Sequence, residues 1–312
     1  MCNYLCNDLY AYSDETREEL VKLIEANAER VRLPYQFGLE YSRNRAKVIV
    51  KQVTNYQNAD KDLLSFQNKH LEPKREHPHL SDESVKAIES VRGDLSERRK
   101  RMEGFISSDP YAGRVLAVFD GKLGPIPTEK DLEQLHKDAA ERYKKNFPPG
   151  YADLKDKDVP DAYGDYIGWS QLIEISKNEK KGFVLVTDDL KEDWWLIEKT
   201  YTISPRAELI DEFFRLTQQQ IWMYTSENFL RAAKKFTGAN IRDESIEEVT
   251  QRLASQRESD NISDLKPGLD EPKLLSLADG GPESQKSTDE PAFSSNFTSG
   301  DSAKPAARYE NE

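Results

Sequence analysis

GFVLVTDDLKEDWW, residues 182–195, sets the reading of the whole chain. Four apolar residues, 183–186, suit a short strand buried on both faces of a sheet. The run stops at Thr187, and four carboxylates follow at Asp188, Asp189, Glu192 and Asp193 before the pair Trp194-Trp195. In parallel α/β sheets ligands gather outside the carboxyl ends of strands. Two unit charges about 5 Å apart repel by roughly 3 kcal/mol at an effective dielectric near 20, so carboxylates crowded at a strand end need a compensating group. A hard divalent cation such as Mg²⁺ or Mn²⁺, which prefers oxygen ligands, is one. The plainer reading makes Asp188 a helix cap, Glu192 and Asp193 a solvated face with Lys191, and the two tryptophans packing groups.

Working outward, Gly164-Asp165 opens a helix with the apolar face Ile167, Trp169, Leu172, Ile173 and Ile175, and Gly182 ends it before the strand. Downstream, the pattern predicts a helix over 205–217, a strand over 220–224 and a helix over 226–236. Upstream, Ser13 is a candidate N-cap for a helix carrying Leu20, Leu23, Ile24, Ala28 and Val31 on one face. A short extended piece, 31–33, leads to Pro34 as the first residue of a second helix bearing Phe37, Leu39, Glu40 and Val48. Helices alternating with strands predict a parallel α/β sheet.

Residues 55–145 break that rhythm: they are long, charged and helical in period, with a narrow seam of Val85, Ile88, Val91, Leu95, Met102 and Phe105. They read as an inserted helical arm, interrupted over 120–127. The expected organisation is an α/β domain over 1–54 and 146–240, the arm over 55–145, a helical extension over 241–257 and a disordered acidic tail over 258–312.

The totals narrow the classes. With 312 residues, 37% hydrophobic and 33% charged, the chain supports a sizeable core. The net charge is −12, of which twelve acids against five bases in 258–312 supply −7, so pI says nothing of partners. No apolar run reaches membrane-spanning length and no signal-peptide layout opens the chain, so a cytoplasmic protein with no membrane role is expected. Cys2 and Cys6 read as reduced thiols, and His70, His77, His79 and His136 stand at no ligand spacing to them, which argues against zinc.

Several blocks together resemble the large-insert branch of the PIN-like domain family. They are Leu9-Tyr10-Ala11-Tyr12-Ser13 with Thr16-Arg17, Leu33-Pro34-Tyr35-Gln36 through Leu39-Glu40 to Arg43-Asn44-Arg45, Pro148-Pro149-Gly150-Tyr151, Gly164-Asp165-Tyr166-Ile167 with Trp169, Val186-Thr187-Asp188-Asp189 with Lys191 and Asp193-Trp194-Trp195, and Pro205-Arg206 with Glu208-Leu209. The resemblance implies a three-layer α/β/α sheet with the helical insertion. It also implies metal-dependent hydrolysis of phosphodiester bonds by an endonuclease using Mg²⁺ or Mn²⁺. RNA is favoured over DNA, and the arm helps hold substrate or a protein partner.

Carried over residue by residue, the family's acidic site falls on Glu40, Asp165 and Asp189, with Asp188 and Asp193 as further ligands or groups supporting them. Thr187 bonds a ligand carboxylate or a substrate phosphate, or else satisfies backbone at the strand end. Arg43 and Arg45, a turn beyond Glu40, are the favoured phosphate contacts, ahead of Arg98-Arg99-Lys100-Arg101 on the arm. One departure stands out. Where the family has a strand ending in Asp-Thr-Asn, this sequence has Met1-Cys2-Asn3, with Asp8 an extra acid nearby. Either an upstream strand completes the working protein, or the chain is a catalytically impaired interaction module. Retention of Glu40, Asp165 and Asp189 favours the first.

Overall fold

The computed structural model describes residues 9–71, 80–199 and 201–264, with side chains to residue 257. The segments carrying Met1-Cys2-Asn3, Cys6 and Asp8, the His77 and His79 pair, and the tail beyond Asp264 lie outside the described residues, as do the expectations placed on them.

Ser13 caps the first helix, α1 (Asp14–Ala26), accepting the Thr16 N–H on its hydroxyl. That satisfies one of the donors left open at a helix start. Ala28 falls outside this helix, in a tight turn over Ala28–Arg30. Pro34 precedes α2 (Tyr35–His70) as its cap rather than its first residue, its ψ of 137° keeping it out of the helical region. At about 1.5 Å per residue, these 36 residues make a rod about 54 Å long. It runs unbroken past residue 54, so the near part of the helix belongs to the core and the far part to the arm.

The arm continues in α3 (Asp82–Ser107), α4 (Pro110–Phe119) and α5 (Glu129–Lys144). Ion pairing of Arg92 with Asp60, and contact of the Arg45 guanidinium with the Phe105 carbonyl, show α3 returning antiparallel along α2. Of the seam residues, Met102 and Phe105 are buried, whereas Val91 is 50% exposed, because core lies beneath only the near end of the pair. The extended piece at 31–33 finds its partner at the arm's return. Leu33 accepts the Gly124 N–H at 2.8 Å and donates to the Lys122 carbonyl at 3.2 Å.

The chain then enters α6 (Gly164–Glu179), which ends at Lys180 in the left-handed region, φ 54°. Gly182 serves a different need from helix termination: a Cβ there would stand 2.4 Å from the Gln220 carbonyl oxygen. The strand β1 (Phe183–Val186) pairs in parallel with the later strand β4 (Ile221–Tyr224), Phe183 opposite Ile221 and Val186 opposite Tyr224. Burial on both faces holds for Leu185 and Val186, while Val184 and its partner Trp222 are exposed.

Between these strands lies a hairpin that the sequence pattern did not disclose, β2 (Trp195–Glu198) with β3 (Tyr201–Pro205), followed by α7 (Ala207–Thr217). Pro205 therefore closes a strand opposite Trp195 instead of opening a helix, a position where its missing N–H is tolerated. The chain proceeds from β4 to α8 (Ser226–Thr237) and α9 (Asp243–Asp264), so helix continues past residue 257. Among the described residues the fold is mostly helical, with β1 and β4 its parallel sheet. None of the described helices is long and apolar enough to cross a membrane.

Candidate metal centre

The helix α6 leads directly into β1, so a helix folded back on its strand brings its first turn beside the strand's carboxyl end. Asp165, in that first turn, and Asp189, three residues past Val186, accordingly meet. A third carboxylate joins them from the short turn over Tyr151–Lys155. Asp153, Asp165 and Asp189 each offer an oxygen within 4.8 Å of the other two. Asp153 lies in a stretch of alternating acids and lysines whose spacing carries no periodic signal, and sequence reasoning passed over it. Its place directly behind Pro148-Pro149-Gly150-Tyr151 was the available clue.

Glu40 lies beside this group on α2. Gln36, one turn earlier, donates its amide to Glu40 Oε1 at 2.7 Å, and a Cβ on Gly164 would stand 2.4 Å from that oxygen. Burial raises the Glu40 pKa, with the charges of Asp165 and Asp153 adding to it against the Gln36 bond. The approach of α2 to α6 depends on Gly168, where a Cβ would meet the Phe37 ring at 2.3 Å.

Asp188 and Asp193 serve the backbone. Asp188 Oδ1 accepts the Ser226 N–H at 2.7 Å, at the start of α8, from a distant part of the chain; the cap of that helix is Thr225, so Asp188 is not the helix cap of the plainer reading. Asp193 Oδ2 accepts the N–H groups of Gly150 and Ala152 at 2.8 and 3.0 Å, clamping the turn that carries Asp153. Thr187 accepts the Asp189 N–H on its hydroxyl at 3.2 Å, the backbone-satisfying alternative. Both tryptophans are packing groups with a polar task. Trp194 donates its indole N–H to Asp165, and Trp195 to the Asp189 carbonyl.

The basic candidates divide. Arg43 is exposed on α2. Arg45 pairs with Asp109 at 2.7 Å, where Tyr10 also donates its hydroxyl, on the side of α2 that faces the arm. Arg98, Arg99 and Arg101 form ion pairs with Asp94, Glu103 and Glu97 respectively, and Arg101 also with Asp14. The cation at the acidic group is one that the sequence left on a solvated face. Lys191 Nζ pairs with Asp153, lies 2.8 Å from Asp189 Oδ2 and 3.7 Å from Asp165 Oδ2. Lys157 meets the other oxygen of Asp153 at 2.5 Å.

Even with these ammonium groups, the carboxylates are short of counter-charge. Burial pushes the Asp189 carboxyl up to about 7, helped by the Asp165 charge and opposed by Lys191. Burial raises Asp165 too, with Lys191 again opposing and Asp153 adding to the rise. Two buried carboxylates and a half-buried one, from three separate segments and gathered at one point, make an oxygen-rich donor set that suits a hard divalent cation. The same electronegative point repels a phosphodiester unless a cation intervenes.

A family model described as "PIN like domain" matches residues 3–209. No curated protein and no solved structure matches the chain.

Proposed function

Because the chain belongs to the PIN-like domain family, whose fold points to the nuclease superfamily, we propose that it is a metal-dependent endonuclease cleaving phosphodiester bonds, of RNA before DNA. The observation that carries this reading is the convergence of Asp153, Asp165 and Asp189. These three hold the cation, Mg²⁺ or Mn²⁺, in this proposal. When bound, the cation supplies a Lewis acid that neutralises charge developing on the phosphodiester oxygens during attack by water.

The remaining steps fall to side chains. Glu40, half-buried against Gly164 and oriented by Gln36, takes a proton from the attacking water as the water oxygen bonds to phosphorus; the P–O bond to the leaving sugar oxygen breaks, and that oxygen takes a proton from solvent. Desolvation raises the Glu40 pKa and so makes it a stronger base when ionised. Asp193 and Asp188 keep the turn of Asp153 and the start of α8 in register with the strand end. Arg43, exposed beyond Glu40, positions a phosphate, and the arm of α2 and α3 steadies the nucleic acid or a protein partner. Arg45 contributes through Asp109, by fixing the arm against α2. We further propose that β1 and β4 belong to a three-layer α/β/α sheet, and that the protein works in the cytoplasm.

Cleavage of labelled single-stranded RNA with Mn²⁺ tests the reading, with single-stranded DNA in parallel. Asp153→Asn, Asp165→Asn and Asp189→Asn should each lower the rate by about 100-fold or more, the scale on which a positioned charge-stabilising group acts. Equal rates in wild type and all three variants would overturn it. A second reading is favoured by Lys191 itself: an ammonium among the carboxylates neutralises them as a structural ion-pair cluster, leaving an interaction module without catalysis. In that case the wild-type protein cleaves neither nucleic acid and takes up no Mn²⁺.

A further inference from the structure

We propose that Lys191 is an internal counter-cation that holds the divalent ion's place among Asp153, Asp165 and Asp189, and that metal binds only as this ammonium withdraws. The proposal rests on the metal centre of the nuclease reading and adds to it how the centre is regulated: the protein's own side chain competes with the ion.

Four observations converge. First, Lys191 Nζ touches Asp153 and Asp189 and lies 3.7 Å from Asp165, the same three residues whose oxygens can share one ion. An ammonium has three donors and no acceptor, so it fills a carboxylate triad as a cation does. Oxygens confined within 4.8 Å of one another have room for one such group, and two positive charges in contact with the same oxygens repel. Occupation by lysine and by metal is therefore exclusive.

Second, the base of the side chain is fixed. The Lys191 N–H binds Asp189 Oδ1 at 3.2 Å, and its carbonyl accepts the N–H groups of Trp194 and Trp195, both at 3.1 Å. Only the stem beyond that anchor has to turn for the ammonium to withdraw, and a displaced ammonium stays within its own length of the rim. Third, the exposures are unequal: the Lys191 side chain is 30% exposed, against 5% for Asp153 and for Asp189 and 15% for Asp165. The ammonium can swing to water while the carboxylates remain where they are. Fourth, Asp153 keeps Lys157 on its other oxygen when Lys191 leaves, so withdrawal strands no acid on the turn.

An equilibrium between inward and outward ammonium lowers the apparent metal affinity by the fraction of molecules whose site is open. Removing the charge of residue 191 abolishes that reduction. Keeping a charge there preserves it.

The test is Mn²⁺ titration of the chelator-stripped full chain, following the electron paramagnetic resonance signal of free Mn²⁺, for wild type, Lys191→Met, Lys191→Arg and Asp165→Asn. Lys191→Met should bind on the order of tenfold more tightly than wild type, Lys191→Arg close to wild type, and Asp165→Asn far more weakly. Equal or weaker binding by Lys191→Met, with Asp165→Asn still impaired, overturns the competition and leaves the metal centre standing. Absence of Mn²⁺ binding in both wild type and Lys191→Met removes the centre and the competition together.

Since Lys191→Met leaves three carboxylates crowded, thermal unfolding is followed alongside. A variant that is unfolded when stripped but regains a cooperative transition with Mn²⁺ supports replacement of lysine by metal. One that stays unfolded at saturating Mn²⁺ overturns it.

Discussion

The indole N–H of Trp194 meets Asp165 Oδ2 at 3.1 Å, tying the loop after β1 to the first turn of α6. The Trp194 ring stands edge-on to Trp169, one turn further along the same helix, with centroids 6.2 Å apart. One side chain thus fixes both the direction of the Asp165 carboxylate and the seating of its helix. Trp194→Phe deletes the donor together with the five-membered ring of a buried indole, so a small void adds to the lost bond. It should cost at least about 1.5–3 kcal/mol, the range for hydrogen bonds to charged groups, measured by urea unfolding of the stripped protein. A change below about 0.5 kcal/mol would show that water replaces the indole at no cost.

Gly168 sets the distance between α2 and α6. A methyl group there has to displace the Phe37 ring, so Gly168→Ala should destabilise by about 1–3 kcal/mol, as overpacking of a filled core does. It should also lower the rate of RNA cleavage, because parting the helices draws the proton-accepting Glu40 from Asp165. Gly93, within α3, has nothing within 4 Å of an added Cβ and provides the contrast. Gly93→Ala should stabilise by about 0.5–1 kcal/mol through helix propensity alone. Both values come from denaturant midpoints at constant slope.

Arg142 on α5 makes two bonds of 2.6 Å to the oxygens of Glu212 on α7, and Trp169 donates to the same carboxylate at 2.8 Å. The guanidinium also lies over the rings of Phe147 and Tyr166, with both partners of the pair nearly buried. Glu212→Gln leaves a partly desolvated guanidinium without its countercharge. A loss of about 2–4 kcal/mol is expected from thermal or chemical unfolding, somewhat less than for a fully dry pair. Loss of under about 1 kcal/mol would place this pair with ordinary surface bridges.

The stripped protein should lose stability as pH rises across the acid-to-neutral range. The folded-state pKa of Asp189, about 7, lies above its unfolded value of about 3.9. A raised carboxylate pKa contributes stability that is full below about 4 and disappears as pH climbs through 7, because the fold binds the proton more tightly than the unfolded chain. Urea midpoints taken between pH 4.5 and 7.5 in chelator should fall on that account, and the fall should be smaller in Asp189→Asn, where the raised carboxyls of Glu40 and Asp165 supply what is left. Saturating Mn²⁺ should abolish it in wild type.

Much of the scaffold could be read from the residues. The run 183–186 is a strand, Gly164 opens a helix, Ser13 caps one, and the antiparallel return of a helix on its strand is what brings Asp165 to Asp189. The remainder depended on direction, which spacing does not encode. Four acids follow or flank the strand end within reach of backbone as well as of one another. Asp188 and Asp193 turn to N–H groups of α8 and of the Gly150 turn, while Asp165 and Asp189 turn inward. Asp153 arrives through a short turn whose alternating Asp and Lys resemble any solvated loop. The hairpin of β2 and β3 hid behind Pro205, which reads equally as a helix start. Lys191 sits among acids in the sequence, and its ammonium sits among acids in space; only the second fact shows that it is shared.

The stitch between Leu33 and the Lys122–Gly124 segment has a bearing on length. The rod of α2 starts just after this stitch, and the chain comes back to it after α4, so the appendage is tied at its base. Matched turns removed from α2 and α3, or added to them, would telescope the appendage without shifting Glu40 or Asp165. How far such a molecule can stretch and where its acids stand are therefore separately adjustable, like the shaft and the jaw of a wrench.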